Sequence, residues 1–517
     1  MCSRPPRNPD PRSHPPGETY TAFTGELITA LSEGIPRAPD PMDMDTVYRH
    51  LHRALAAKSR PLPQQRNRNT GGLIALARNR AAPPPEPTPE PRPPETAATP
   101  RGGRPSRRVR NRVIVPLAAL GVVTAASLGV WLTTGGEKGG GSGKPPGGQV
   151  VTIGLDAPLT GKLAPLGRGI RNSADLAVRR ANEDGAVDGV TFELKPLDDK
   201  AQPATGQENG TELIADDTVI GVVGPVNSGV AQSMQKDADD ADLALVSPTA
   251  ADPVLTQGWK WQTGKKSRPF RSFYRTVPTD AHHGVAAAQH LYNDDDKKKA
   301  FVVDDKKVYG AGVADAFRAE FTRLGGKVVG SDHIDPDNAG DFPAVAAEVK
   351  NSGADVFFYG GEYPAAGPLN AQLRKAGADI PLAGGDGIYS EEFIDLAGRA
   401  SEGALTVSVP HPEQLASARQ FVKSYRQADY RDDHGIHGAY AYDATWAIVQ
   451  AVKDVTDAHG GRLPKNARAE VVSALRHVSF DGATGTISFD KYGDATNAEL
   501  ALYRVEDGEW KSVERDA

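Results

Sequence analysis

Residues 149–517 predict an α/β fold of two doubly wound parallel-sheet lobes joined by a hinge. A single transmembrane helix and a mostly disordered N-terminal region are expected ahead of them. Three observations carry this reading. Short apolar runs alternate with helical patterns of roughly 10–15 residues, the signature of parallel strands covered on both faces. The alternation comes in two successive blocks. The chain has 517 residues, whereas a single core stops growing near ~250–300.

The first block reads as strand Val150–Leu155, helix Gly169–Asn182, strand Val190–Pro196, helix Ala204–Ala215, strand Val219–Gly224, helix Val230–Asp239 and strand Leu243–Ser247. After a long loop come strands Ala300–Asp304, Val328–Ile334, Val356–Tyr359, Leu382–Ala383 and Ala404–Val409. Helices near 309–324, 343–351, 367–376 and 391–397 separate them. Ligands of such sheets bind beyond the carboxyl ends of the strands. The loops there are VGPVNSG, SPTAADP, DDKKVYGAG, YGGEYP and GGDG. Small and hydroxyl residues opening helices present backbone N–H groups to an anion, which points to a carboxylate-bearing ligand.

The N-terminal part has a different chemistry. Residues 1–112 carry 19 lysines and arginines against 10 aspartates and glutamates, net +9, while the remaining 405 carry 41 against 56, net -15. Between them Val113 to Thr134 holds no charge in 22 residues, about 33 Å of helix at ~1.5 Å per residue. Six arginines lie between Arg101 and Arg112 and only Glu137 and Lys138 closely follow the span. The positive-inside rule therefore places residues 1–112 in the cytoplasm and the C-terminal part outside the cell, on a single-pass anchor. Residues 81–112 are a Pro- and Arg-rich linker and 135–148 a Gly-rich tether. The helical patterns Thr19–Gly34, with Phe23, Leu27, Ile28 and Leu31 on one face, and Met44–Ala57, with Val47, Leu51 and Leu55, fall within a fragment spanning 1–80.

Several function classes are excluded. The single cysteine, Cys2, leaves no intramolecular disulfide, Cys-rich zinc site or Cys-ligated iron–sulfur cluster. No loop has GxxxxGK[ST], HExxH or a nucleophile elbow, and His282 and His283 are adjacent, a poor chelating pattern. No enzyme activity, cofactor, metal or nucleic-acid partner is expected.

The motifs VTIGLDAPLTGKLAPLGRGIRNSADLAVRRAN, LDDKAQPATG, VIGVVGPVNSGVAQSM, LALVSPTAADPVLT, VVDDKKVYGAG, VFFYGGEYP and AYDATWAIVQAV resemble the type I periplasmic binding proteins of the leucine/isoleucine/valine-binding family, from about Val151 to Val513. The resemblance implies a substrate-binding component that closes around a small amino acid or related carboxylate or amide and delivers it to ABC permease subunits. It assigns the ligand carboxylate to the Ser228 hydroxyl and to backbone groups of Ala250, with Ala251 where the family often has threonine. Asp386 matches the acid that pairs with the α-ammonium, and Tyr309, Tyr363 and Tyr442 match aromatic positions. Leu166 stands where an aromatic often packs over the ligand, and Ala201 and Asn227 stand where the family has a disulfide. Helix capping by Ser228 and a turn role for Asp386 are the structural alternatives. The stretches TYTAFTGELITALSEGIP, MDTVYRHLHRAL and LPQQRNRNTGGLIALARN resemble the C-terminal end of actinobacterial caspase-like domains. That resemblance implies an alternative function, a ligand sensor coupled to a cytoplasmic signalling module.

Overall fold

A computed structural model describes residues 148–513 except 339–341 and 498, together with residues 22–35, 42–43, 46–48, 50–51, 54 and 75–77. The expected span 113–134 and the linkers beside it lie outside the described residues. Among the described residues no helix is long and apolar enough to cross a membrane.

The chain divides into two compact units, residues 1–141 and 142–517. In the first, a helix covers Ala22–Glu33, and Met42–Asp43 pairs antiparallel with Ala75–Ala77. Its apolar cluster is Ala30, Ile35, Val47 and Leu51, with Leu27 against it. The expected helix face is corrected here. Ile28 and Leu31 are exposed, because the cluster gathers on the Leu27–Ala30 side of the helix.

The second unit begins with β1 (Gln149–Ala157), α1 (Ala164–Glu183), β2 (Val190–Asp198), α2 (Pro203–Ala215), β3 (Val219–Val223), α3 (Ser228–Asp240), β4 (Ala244–Ser247) and β5 (Phe273–Arg275). These strands form a parallel sheet in the order β2-β1-β3-β4-β5. β3 and β4 are buried at every residue and β1 at its last seven. They lie between neighbours with helices over both faces, which is why they read as unbroken apolar runs. β2, on the edge, is mostly half-buried.

The second lobe follows with α4 (Asp280–Asn293), β6 (Lys299–Asp304), α5 (Val308–Arg323), β7 (Lys327–His333), α6 (Phe342–Ser352), β8 (Val356–Gly360), α7 (Tyr363–Ala376), β9 (Leu382–Gly384), α8 (Glu391–Ala397) and β10 (Leu405–Ser408). Its parallel strands run β7-β6-β8-β9-β10. Phe317 of α5 stacks on Phe358 of β8 with ring centroids 3.9 Å apart, fixing helix to sheet.

The sequence blocks end here, and the structure departs from them. Each lobe is completed by a later segment rather than by one continuous block. α9 (Arg419–Gln427), α10 (Gly438–Ala458), α11 (Ala467–Ala474) and the hairpin β11 (Ser479–Gly482) and β12 (Gly485–Ser488) follow. α10 and α11 bury Ala444, Ile448, Val452 and Val471 in the core built by β1, α1 and β3. The chain then returns to the second lobe, where β13 (Ala501–Glu506) pairs antiparallel with β10 and β14 (Glu509–Ser512) with β13. The second sheet is therefore mixed, not wholly parallel as expected. The chain passes between lobes three times. Val277, Val409 and Tyr503, from the crossing segments or beside them, pack with Ala251, Ile436 and Tyr440 in one cluster.

Candidate functional site

The carboxyl ends of both sheets face a cavity of about 520 Å³ between the lobes. Ser228, the first residue of α3, enters from lobe one on the loop after β3. That loop turns at Gly224 with φ 114°, where a Cβ would collide with the Asp156 carbonyl. Only glycine fits there. Lobe two supplies Tyr309 at the start of α5, Tyr363 at the start of α7 and Asp386 after β9. A Cβ on Gly387 would lie 2.7 Å from the Tyr309 ring, and in its absence the Gly387 N–H donates to Tyr309 Oη at 2.8 Å. The GGDG motif thus lets the Tyr309 ring lie against the loop that carries Asp386.

Contacts across the cavity bring the lobes together. Tyr363 Oη donates to the Lys162 carbonyl at 2.7 Å. Asn227 Nδ2 donates to Glu362 Oε1, and Glu362 also holds Lys307 at 2.9 Å. His437 Nε2 lies 3.5 Å from Asp386 Oδ2. This is the closed arrangement of a two-lobed clamp.

Asp386 is the ionised centre of the cavity. Burial alone would raise its pKa, but His283 and His437 nearby reverse this and hold it at about 2. Behind it Asp280 is pushed the other way, to about 7, by burial and by the charge of Asp386 against the pull of His283. Two carboxylates sharing a buried site are expected to separate in this manner. Burial with nearby Asp386 and Asp280 charge drives the Tyr309 hydroxyl upward, so it stays protonated at neutral pH.

Of the residues singled out from the sequence, Ser228, Tyr309, Tyr363 and Asp386 line this cavity together, with Leu166 beside them. Ala250, Ala251 and Tyr442 are not among its lining residues. The Ala250 N–H donates to Ser247 Oγ at 2.8 Å and its carbonyl accepts from Arg275 at 2.8 Å. Ala251 is fully buried in the inter-lobe cluster, and its carbonyl accepts the Asp280 N–H. Tyr442 packs between Phe421 and Trp446. Ser228 is not the N-cap of α3, a position held by Asn227; its Oγ accepts from the Asp252 N–H at 3.3 Å.

Sequence reasoning missed Arg168, Glu362, His411, His434 and His437, which also line the cavity. Arg168 is held by Asp432 at 2.7 Å. The DDHGIHG run before AYDATWA carried a signal, two histidines in a Gly-punctuated loop leading into a helix. It also missed Arg275, fully buried, which ties the Ser247–Asp252 loop to Asp494 at 2.7 Å.

Two lobes on interrupted sheets, three crossings and an inter-lobe cavity define a bilobal ligand-binding protein. The comparisons carry this further. The family model for periplasmic binding proteins matches residues 150–509. The Leu/Ile/Val-binding protein BraC3 of Rhizobium johnstonii is 30% identical over 373 residues, covering 70% of this chain and 94% of that protein. The Leu/Ile/Val-binding protein homolog 1 of Brucella melitensis is 29% identical over 361 residues, covering 69% and 91%. Among solved structures, the branched-chain amino acid transporter substrate-binding protein LivJ of Streptococcus pneumoniae, in complex with isoleucine, is 26% identical with a TM-score of 0.61. That match covers 71% of this chain and 99% of that one. This chain belongs to the periplasmic binding protein family. It is a solute-binding protein of the branched-chain amino acid transporter type and not an enzyme.

Proposed function

We propose that residues 148–513 capture a small α-amino acid or closely related carboxylate outside the cell and deliver it to an ABC permease, held at the membrane by the span 113–134. The observation that carries this reading is a buried, ionised Asp386 sharing one inter-lobe cavity with Ser228 at the start of α3. A zwitterion needs an anion for its ammonium and donors for its carboxylate. Asp386 offers the first; the Ser228 hydroxyl and the positive end of α3 offer the second. Tyr309 and Tyr363 enclose the chain between them. Contacts made by both lobes favour the closed form, because a ligand shifts the equilibrium only by its differential affinity for the two states.

A second reading, a sensor that reports closure across the membrane, is favoured by the N-terminal unit, whose described residues form their own apolar cluster. Delivery requires no such unit. Co-purification of the full chain with permease subunits would favour delivery, and a partner captured through residues 1–80 alone would favour sensing.

The binding unit has its own cores and matches nearly the whole length of its relatives, so it can be assayed as residues 148–517. A thermal-shift screen against amino acids and amine-free carboxylates tests the reading, since a ligand of the folded form raises Tm. We expect an amino acid to give the largest shift. A shift from amine-free acids alone would overturn the role given to Asp386.

A further inference from the structure

We infer that a divalent first-row transition-metal site of the Zn²⁺ type lies directly behind the cleft, held by Asp280 and His283 of α4 and by Asp386, with His437 of lobe one as fourth donor. Asp280 and His283 stand three residues apart on the first turn of α4, so both side chains project on one face. The loop after β9 brings Asp386 to them, and the three residues offer ligand atoms all within 4.8 Å of one another.

Three further observations point to an ion. Both oxygens of Asp280, both nitrogens of His283, Oδ1 of Asp386 and both nitrogens of His437 have no hydrogen-bond partner. All four side chains are more than nine-tenths buried. Buried polar atoms are nearly always hydrogen-bonded, and here seven are not, three of them meeting only in ion pairs at 3.5 Å. The second observation is spacing. His283 Nδ1 lies 3.5 Å from Asp280 Oδ1, and His437 Nε2 lies 3.5 Å from Asp386 Oδ2. A good N–H···O bond has a heavy-atom distance near ~2.9 Å. Two ligands on one tetrahedral ion with bonds of ~2.0–2.2 Å stand about 3.4 Å apart. The separations among Asp280, His283 and Asp386, all within 4.8 Å, would settle toward that value on loading.

The third is charge. Among the described residues no lysine or arginine forms an ion pair with Asp280 or Asp386; their recorded partners are histidines. A divalent cation balances two carboxylates while leaving the imidazoles neutral, the form in which they ligate. A mixed oxygen and nitrogen donor set suits a first-row transition ion rather than calcium or magnesium, which take oxygen alone. His437 comes from the opposite lobe, so the ion would also cross-link the closed state.

The test is titration of chelator-treated residues 148–517 with Co²⁺ in the absence of any amino acid, followed by visible absorption. We expect one equivalent to bind with the intense d–d bands of a tetrahedral site, displaceable by Zn²⁺, and to raise Tm. Asp280→Asn and His283→Ala should each weaken Co²⁺ binding by at least the roughly 10–100-fold that loss of an outer-shell partner costs. His459→Ala, at an exposed histidine paired with Glu470, should not. No stoichiometric uptake by the unaltered protein would overturn the site, as would uptake that both substitutions leave unchanged. The amino-acid screen is run in chelator, because an ion on Asp386 would compete with the ligand ammonium for that carboxylate, so failure here leaves the amino-acid reading standing.

Discussion

Replacing Asp386 by asparagine keeps the shape of a buried side chain and removes its charge. The carboxylate is ionised at every pH where the protein is assayed, since its pKa lies at about 2. In the proposed role it makes a charge-assisted bond to the ligand ammonium, worth about 1.5–3 kcal/mol. At ~1.4 kcal/mol per tenfold, affinity for the amino acid should fall by about 10- to 150-fold. The more discriminating quantity is a ratio. The amino acid and its amine-free analogue are titrated into both proteins by calorimetry. The original protein should favour the amino acid by that factor, and Asp386→Asn should erase most of the preference, because only the ammonium senses the lost charge. Circular dichroism confirms that the variant is folded. A preference that survives the substitution would refute the argument, leaving Asp386 a turn residue with an unrelated charge.

Ser228→Ala removes one hydroxyl at the carboxylate end and should weaken binding of amino acid and amine-free analogue alike, by about fivefold or more; unchanged calorimetric affinity for both would leave Ser228 only its bond from Asp252. Arg275→Met strips the partner from buried Asp494 and from the carbonyls of Ala250 and Asp252. Unfolding by urea should show a loss of about 3–5 kcal/mol, the cost of an orphaned buried charge. Asp305 is pushed to about 7, mainly by burial and then by Glu362. Its folded pKa lies above the unfolded value, so it favours the native state at low pH, and that contribution is lost as pH rises from about 4 through 7. Asp305→Asn should flatten this part of the stability–pH curve in urea titrations; an unaltered slope would contradict the shift.

The alternation of the two lobes was legible because central parallel strands have no polar face. β3, β4 and β8 are buried at every position, so each stands out as an apolar run between helices. β13 and β14 were missed. They form an antiparallel edge in which buried residues are mixed with half-buried and exposed ones, a weaker pattern placed far from its sheet in sequence. α10 was likewise unassigned as an element, although AYDATWAIVQAV marked it by resemblance. In the candidate site, the loops that carry Ser228, Tyr309, Tyr363 and Asp386 were readable as small-residue stretches at strand ends, while the residues themselves came only from the resemblance. His437 was not. Its meaning depends on lying 3.5 Å from a carboxylate of the other lobe, a relation that no local pattern encodes.

By itself the sequence determined the class of fold, the strand ends where a ligand would lie and the charge division at residues 113–134. All of these are local consequences of burial, periodicity and side-chain charge. Tertiary structure decided which lobe each late segment completes, that Ala250, Ala251 and Tyr442 are not among the residues lining the cavity, and that Asp386 shares its burial with Asp280, His283 and His437. Those outcomes depend on which groups burial brings together from distant parts of the chain. Desolvation, like-charge repulsion and unsatisfied hydrogen bonds act through distance in space, not through separation along the sequence.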